Sequence, residues 1–406
     1  MSRDRSKLRI LWHSVSPAVR SGYGTVTRYF PPLIKKHGFT VIISAYYGLH
    51  VGQVANYQDV PVLPAPGNFG QEGAYQHYHN LKCNLAILHS DWWAFGEFPK
   101  IVYRQDGNRI IKTGFTLLYS PADHEDYPKP LVDLMKQYDY VVPLCNWTAR
   151  NMDRWGVRHE QPIYHGVDTD IYYPMDRDQV RETTKFPKDK FIIGIVSANE
   201  DKDDRKAFYH MFKGFSQFIH NNPDVKDIML LVHANPMSPK GLPLHLMADY
   251  MGISEYVRFP TPYRYITMFG DNEMRLLYNT FDVLMCCSKR EGFGLPILEA
   301  MACAKPVIAH NYSSMTELVG RNEERGWLCR TACKYGTGIG GISGIPDVDD
   351  IERCIYRAYF NPDEVEEKGR RALRFARKFT WSRLVKWCWV PLLDKILERL
   401  DTLPST

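Results

Sequence analysis

Short apolar runs rich in β-branched residues recur along the chain, each followed by a longer stretch of helical character. In order they fall at 8–12, 41–45, 85–89, 115–119, 140–144 and 163–165, and then begin afresh at 191–196, 228–232, 257–259, 283–286, 307–309 and 327–329. A run that is apolar on both faces suits a strand buried between two helix layers, and its alternation with helices predicts parallel sheets built from βαβ units. The polar segment 168–190, with Pro174 and Pro187, separates the two series. The pattern predicts an α/β chain of two Rossmann-like domains joined by that segment, with the ligand in the cleft between them.

A chain of 406 residues is longer than one core usually serves, and a hydrophobic content of 44% is enough to fill two. No run reaches the roughly eighteen apolar residues of a membrane span. The N-terminal MSRDRSK leads straight into LRILWHS without the apolar core of a signal peptide. The expectation is a cytoplasmic protein, with a peripheral membrane position as a second location. Nine cysteines at irregular spacing predict reduced thiols, and Cys329 with Cys333 lacks the second pair that a zinc site needs. A net charge of +5 does not by itself call for nucleic acid or membrane. The basic run 368–378 (KGRRALRFARK) follows the acidic 363–367, the order that a helix dipole favours. It reads as a solvated helix face, with a polyanion-binding surface as the second reading.

The chemistry concentrates at 288–317, SKREGFGLPILEAMACAKPVIAHNYSSMTE. Gly292 and Gly294 let the backbone come close to a ligand, and a helix beginning near Leu295 aims unpaired N–H groups at an anion. Pro296 suits the first turn, where its missing N–H costs nothing. Glu299, one turn further on, is placed to accept hydrogen bonds from a pair of sugar hydroxyls. Together these residues predict a nucleotide, with its phosphate at the turn and its ribose at Glu299.

Glu291 and Glu299, with the turn between them and the EAMACAKPVIAHNYSSMTELVG that follows, resemble the E-x7-E signature of the retaining, nucleotide-sugar-dependent glycosyltransferases of family 4, which have the GT-B fold. The resemblance implies two Rossmann-like domains with parallel sheets facing across a cleft. Residues 1–170 would bind the acceptor and 171–379 the nucleotide-sugar donor. The aromatic, amphipathic C-terminal helix, about 380–400, would return to the first domain. It also implies roles for single residues. Gly22 and Gly24, after the first strand, resemble the glycine loop that approaches the donor. Asp123 or His124 in YSPADH stands where the family places a histidine near the sugar or acceptor. Arg205 and Lys206 would neutralise the diphosphate, with Asn199 at the place where the family usually has an arginine. His233, at another strand end, would contact the nucleotide. Gly292, Phe293, Gly294 and Leu295 would cradle the phosphate, Asn311, Ser313 and Ser314 would add donors beside it, and Glu291 would orient the donor sugar.

The reaction so implied moves a hexose-type sugar from a UDP- or GDP-sugar to a glycan, a lipid or another acceptor. It uses no cofactor beyond that donor, and no metal. Asp168 and Asp170 form an Asp-x-Asp in letters only, and Asp168 is assigned to holding the linker by local backbone bonds. A nucleotide-sugar epimerase and a non-catalytic nucleotide- or glycan-binding protein are the alternative readings, and a DNA-modifying glycosyltransferase fits within the preferred class. The segment 46–73, rich in Gly, Pro and aromatics, is assigned to the acceptor without a readable motif.

Overall fold

A computed structural model describes residues 4–107, 109–267, 269–400 and 402–403. The chain forms two compact units, each discontinuous in sequence. The first takes Met1–Ala122, Tyr127–His165 and Trp381–Thr406, and the second takes Asp123–Asp126 and Gly166–Thr380. The segment Asp123–Asp126 thus lies with the second unit although its flanks belong to the first. A single boundary along the chain does not anticipate that.

Among the described residues the first unit contains a sheet in the order Ala55–Tyr57, Val60–Pro64, Thr40–Ala45, Arg9–Ser14, Leu85–Leu88, Phe115–Tyr119, Tyr140–Val142. Only the outer pair, Ala55–Tyr57 with Val60–Pro64, runs antiparallel. The strands expected at 8–12, 41–45, 85–89 and 140–144 appear within two residues of those bounds, and 115–119 is as expected. The run 163–165 is not a strand. Its Ile163 instead accepts the Tyr119 hydroxyl at its carbonyl (3.0 Å) and donates its amide to Pro143 (3.0 Å). Part of the expected acceptor loop, 46–73, is the antiparallel pair itself.

The C-terminal segment closes the core of this unit. Trp389 is fully buried, with its ring 5.1 Å from Tyr119, 5.6 Å from Phe30 and 5.7 Å from Trp12. Trp381 stacks flat on Tyr29 at 4.8 Å, and Arg5 binds Asp394 at 2.7 Å. A π-helical turn, Val385–Trp389, inserts an extra residue into the helix, so Val385 and Trp389 point inward while Trp387 is 64% exposed.

The second unit has a wholly parallel sheet in the order Val257–Arg258, Ile228–His233, Phe191–Val196, Val283–Cys286, Val307–His310, Gly326–Cys329. Phe208, Phe212, Phe215 and Phe218 of the helix Phe208–Asn221 and Ile351, Cys354 and Ile355 of the helix Val348–Phe360 fill its core. Cys287 and Cys329 lie in the same core as small apolar groups, whereas Cys333 is exposed. The basic run 368–378 occupies the end of the helix Pro362–Ala376, where Arg370 and Arg371 pair one turn back with Glu366 and Glu367. Lys368 departs from the solvated-face reading, because it is buried and donates to the Gly326 carbonyl at 2.9 Å. The helix Asn146–Arg154 has Cys145 at its cap position.

Removing the buried indole in Trp389→Ala is expected to cost about 3–5 kcal/mol of unfolding free energy. Trp387→Ala, two residues away on the exposed side, is expected to change it by less than about 0.5 kcal/mol. Urea denaturation of the two variants checks the contrast.

Candidate functional site

The order of the second sheet reverses between Phe191–Val196 and Val283–Cys286, which brings the loops leaving their carboxyl ends side by side. The first loop, 197–207, turns sharply, with Asp204 (φ 52°) and Ala207 (φ 56°) in the left-handed region. Asp204 pins it by capping the helix Phe208–Asn221, accepting from the amides of Phe208 (2.8 Å) and Tyr209 (3.0 Å). Burial raises its carboxyl to about 6 even so. The turn delivers Arg205 and Lys206 to the second loop.

Glu291 meets them there. Lys206 Nζ donates to its Oε1 at 2.5 Å, and Arg205 Nη1 lies 3.7 Å from its Oε2 and donates to the Arg290 carbonyl at 3.2 Å. Burial raises the Glu291 carboxyl, but the charges of Lys206 and Arg205 outweigh it and hold the group below the ordinary carboxylate range. Ser313 Oγ accepts the Glu291 amide (3.0 Å), and Ser314 Oγ lies 3.0 Å from the Glu291 carbonyl and 2.7 Å from that of Phe293. Both serines are buried and brace the turn from behind.

Gly292 and Phe293 complete the turn, and Gly294 ends it at φ 99° and ψ 56°, a conformation that glycine adopts without strain. The helix Leu295–Ala302 follows with Pro296 in its first turn. The N–H groups of Ile297 and Leu298 close onto the Gly294 carbonyl, and Pro296 has none. Leu295 therefore supplies the first-turn amide left for a ligand, fewer than the helix start alone implies. Glu299, half-buried, accepts from the Tyr278 hydroxyl at 2.6 Å.

Asp123 and His124 join this group from the segment held by the second unit. His124 Nδ1 lies 2.8 Å from Asp123 Oδ1, and Arg290 Nε lies 3.5 Å from Asp123 Oδ2. The other ring nitrogen of His124 is 3.0 Å from Thr337 Oγ1, in the tip of a hairpin formed by Thr331–Gly336 and Ile342–Pro346. The backbone of the segment binds the hairpin as well. The Glu125 amide donates to Ile342 (2.9 Å), the Ile342 amide donates to Asp126 (3.1 Å), and Lys334 pairs with Glu125 at 2.7 Å. Burial raises the Asp123 carboxyl, but the His124 bond and charge, with Arg290 and Arg205, bring it down to about 2.

Other expected site residues have different employment. Asn199 is a correction. Its amide nitrogen donates to the carbonyls of Asn235 and Leu242, and its oxygen accepts the Leu242 amide, each at 2.8 Å. Buried and fully bonded, it ties two loops together and does not take the place of a phosphate-binding arginine. His233 stands at its strand end with its ring 4.3 Å from Phe269 and 5.1 Å from Tyr265, and burial lowers it to about 4. Gly22 and Gly24 open the helix Gly22–Lys36 in the first unit, where the Gly24 amide donates to Ser21 Oγ at 3.1 Å. Asp168 holds its own turn, accepting the amides of Asp170 at its side chain (3.0 Å) and Tyr172 at its carbonyl (2.8 Å).

Residues 264–334, which include both glutamates, match the family model described as Glycosyl transferases group 1. D-inositol 3-phosphate glycosyltransferase 2 of Catenulispora acidiphila is 24% identical over 313 residues, 73% of this chain and 67% of that protein. The D-inositol 3-phosphate glycosyltransferase of Salinispora tropica is 25% identical over 328 residues, 74% of this chain and 62% of that one. The enzyme class is glycosyltransferase. Among solved structures, sucrose-phosphate synthase from Thermosynechococcus elongatus superposes with a TM-score of 0.75 at 17% identity, covering 96% of this chain and 99% of that one. Anabaena Alr3699/HepE in complex with UDP-glucose gives 0.69 at 14%, covering 97% and 100%. The fold is GT-B. No helix among the described residues is long and apolar enough to cross a membrane.

Three parts of this candidate site escape the sequence pattern. Arg290 stands beside Glu291 in the quoted stretch, and its charge there was the available signal. Tyr278 lies inside an apolar helical pattern that marks it only as core. The hairpin's first strand, Thr331–Gly336, is largely exposed, so the buried-strand pattern passes over it.

The Asp123 carboxyl titrates below its ordinary value of 3.8, so its ion group stabilises the docked segment fully above about pH 4 and loses that contribution as the pH falls toward 2. Amide exchange at Glu125 and Ile342 is expected to lose protection across that window. In Asp123→Asn the acid-dependent step is expected to disappear.

Proposed function

We propose that this enzyme is a retaining glycosyltransferase of family 4 with Glu291 and Glu299 as its E-x7-E pair. It moves a hexose-type sugar from a UDP- or GDP-sugar to a hydroxyl acceptor. The observation that carries the reading is the gathering of Arg205, Lys206 and Glu291 at one helix start, with Glu299 one turn further along the same helix.

Breaking the bond from the anomeric carbon to the phosphate leaves negative charge on the diphosphate, and fixed cations aimed at that charge lower the barrier. Lys206 spends one of its three N–H donors on Glu291, and the other two suit phosphate oxygens. Arg205 adds a second cation, and Leu295 N–H a dipole at the helix start. The charge is met by these groups without a metal. As the bond to phosphate breaks, the acceptor oxygen bonds to the anomeric carbon on the same face, and its proton passes to the leaving phosphate oxygen. Glu291, ionised and held by two cations, orients the donor sugar. Glu299 accepts from the ribose. Asp123, ionised beside Arg290, faces the reacting group, while His124 holds the hairpin. The curated relatives are named for a phosphorylated inositol, and a phosphorylated polyol is the first acceptor to try.

Glu299→Ala, and separately the double change Arg205→Ala with Lys206→Ala, should each leave the protein folded and weaken UDP or GDP binding by about tenfold or more, the loss of charge-assisted bonds of about 1.5–3 kcal/mol. Calorimetric titration measures it, and unchanged affinity in both would remove the assignment.

A further inference from the structure

Each glutamate is fixed by a close neighbour. Glu291 touches two cations, so much of its charge is compensated in place. Glu299 is held by Tyr278, a neutral donor, at 2.6 Å. Burial above all, and then the charge of Glu299, push the Tyr278 phenol far above its ordinary range. It therefore keeps its proton at every working pH and donates it to the carboxylate. A short bond from a neutral hydroxyl to an ionised carboxylate fixes the acceptor while leaving its negative charge in place. A carboxylate so fixed accepts readily from sugar hydroxyls.

Tyr278 is also the rigid member of the pair. Its side chain is fully buried in the helix Asp271–Thr280, whereas Glu299 is half-buried. That helix is tied to the chain that enters the second unit. Asn279 donates to the Tyr173 carbonyl (3.0 Å) and accepts the Met175 amide (2.8 Å), and Arg275 reaches the Tyr173 hydroxyl (2.9 Å). The Tyr172 ring packs against the Tyr278 ring with centroids 5.8 Å apart. The phenol thus sets the rotamer of Glu299, and a glutamate side chain has three torsions to lose.

We infer that Tyr278 is a positioning residue through which the nucleotide site reads ribose, holding Glu299 so that it accepts from the sugar hydroxyls. The inference rests on the proposed nucleotide-sugar reading. Its consequence is selectivity. A fixed acceptor rewards a ribose hydroxyl and is left unsatisfied by a deoxyribose, whereas a mobile one adapts to both.

The test is calorimetric binding of UDP, GDP and their 2′-deoxy and 3′-deoxy counterparts to the full chain and to Tyr278→Phe. The native protein should prefer the ribonucleotide by about tenfold or more over at least one deoxy form. In Tyr278→Phe that preference should shrink toward unity, with ribonucleotide binding weakened several-fold. A merely structural role would weaken ribo and deoxy forms alike and keep their ratio, and that result would overturn the inference, as would a native protein with no ribose preference. If Tyr278→Phe does not fold, Glu299→Asp serves, because it keeps the charge and draws the carboxylate away from the phenol. A preference retained in that variant overturns the inference equally. A native chain that binds none of these nucleotides sinks the proposed function itself, which separates the two failures.

Discussion

A carboxylate buried at the end of a parallel strand stays ionised only where cations lie against it, and Glu291 is held in that way by Lys206 and Arg205. Much of the surrounding backbone follows from that requirement. The loop 197–207 passes through left-handed conformations at Asp204 and Ala207 on either side of the two cations, and Asp204 holds the turn by capping the next helix. Ser313 and Ser314 fix the other side of the turn by its backbone. Removing either cation leaves part of the Glu291 charge uncompensated.

A second layer of charge extends the same turn outward. Arg290, next to Glu291, lies against Asp123, and Asp123 against His124, so a row of polar side chains leads from the helix start to the hairpin. The hairpin answers on its own side, with Tyr335 and Ser343 within 3.4–3.5 Å of Arg290 Nη1. A side chain in such a row is located by its neighbours on both sides, which is how a loop residue is held without a helix or strand of its own.

The parallel strands were legible because burial on both faces leaves an unbroken apolar run, and the turn at Gly292–Gly294 was legible because its glycines and Pro296 have separate physical reasons to be there. What escaped were elements without those causes. The antiparallel pair at Ala55–Tyr57 and Val60–Pro64 lies at a sheet edge, and the hairpin strand Thr331–Gly336 is mostly exposed, so neither gives a long apolar run. Ile163 is buried and β-branched like a strand residue, yet it serves a side-chain bond to Tyr119. Polar residues at strand ends posed a different difficulty. Asn199, Ser313 and Arg205 occupy similar positions in the sequence pattern, but two of them close loops and one meets Glu291, and only tertiary partners separate those uses.

The way the units are cut from the chain bears on the order in which they can be made. The core of the first unit lacks Trp389 until residue 389 has been synthesised, although its strands emerge first. Until then the aromatic faces of Trp12, Phe30 and Tyr119 wait uncovered, an exposure that invites chaperones or premature association. The second unit is held up differently, since its Asp123–Asp126 piece emerges long before the hairpin to which it pairs. Folding is therefore weighted toward contacts distant in sequence, which close slowly.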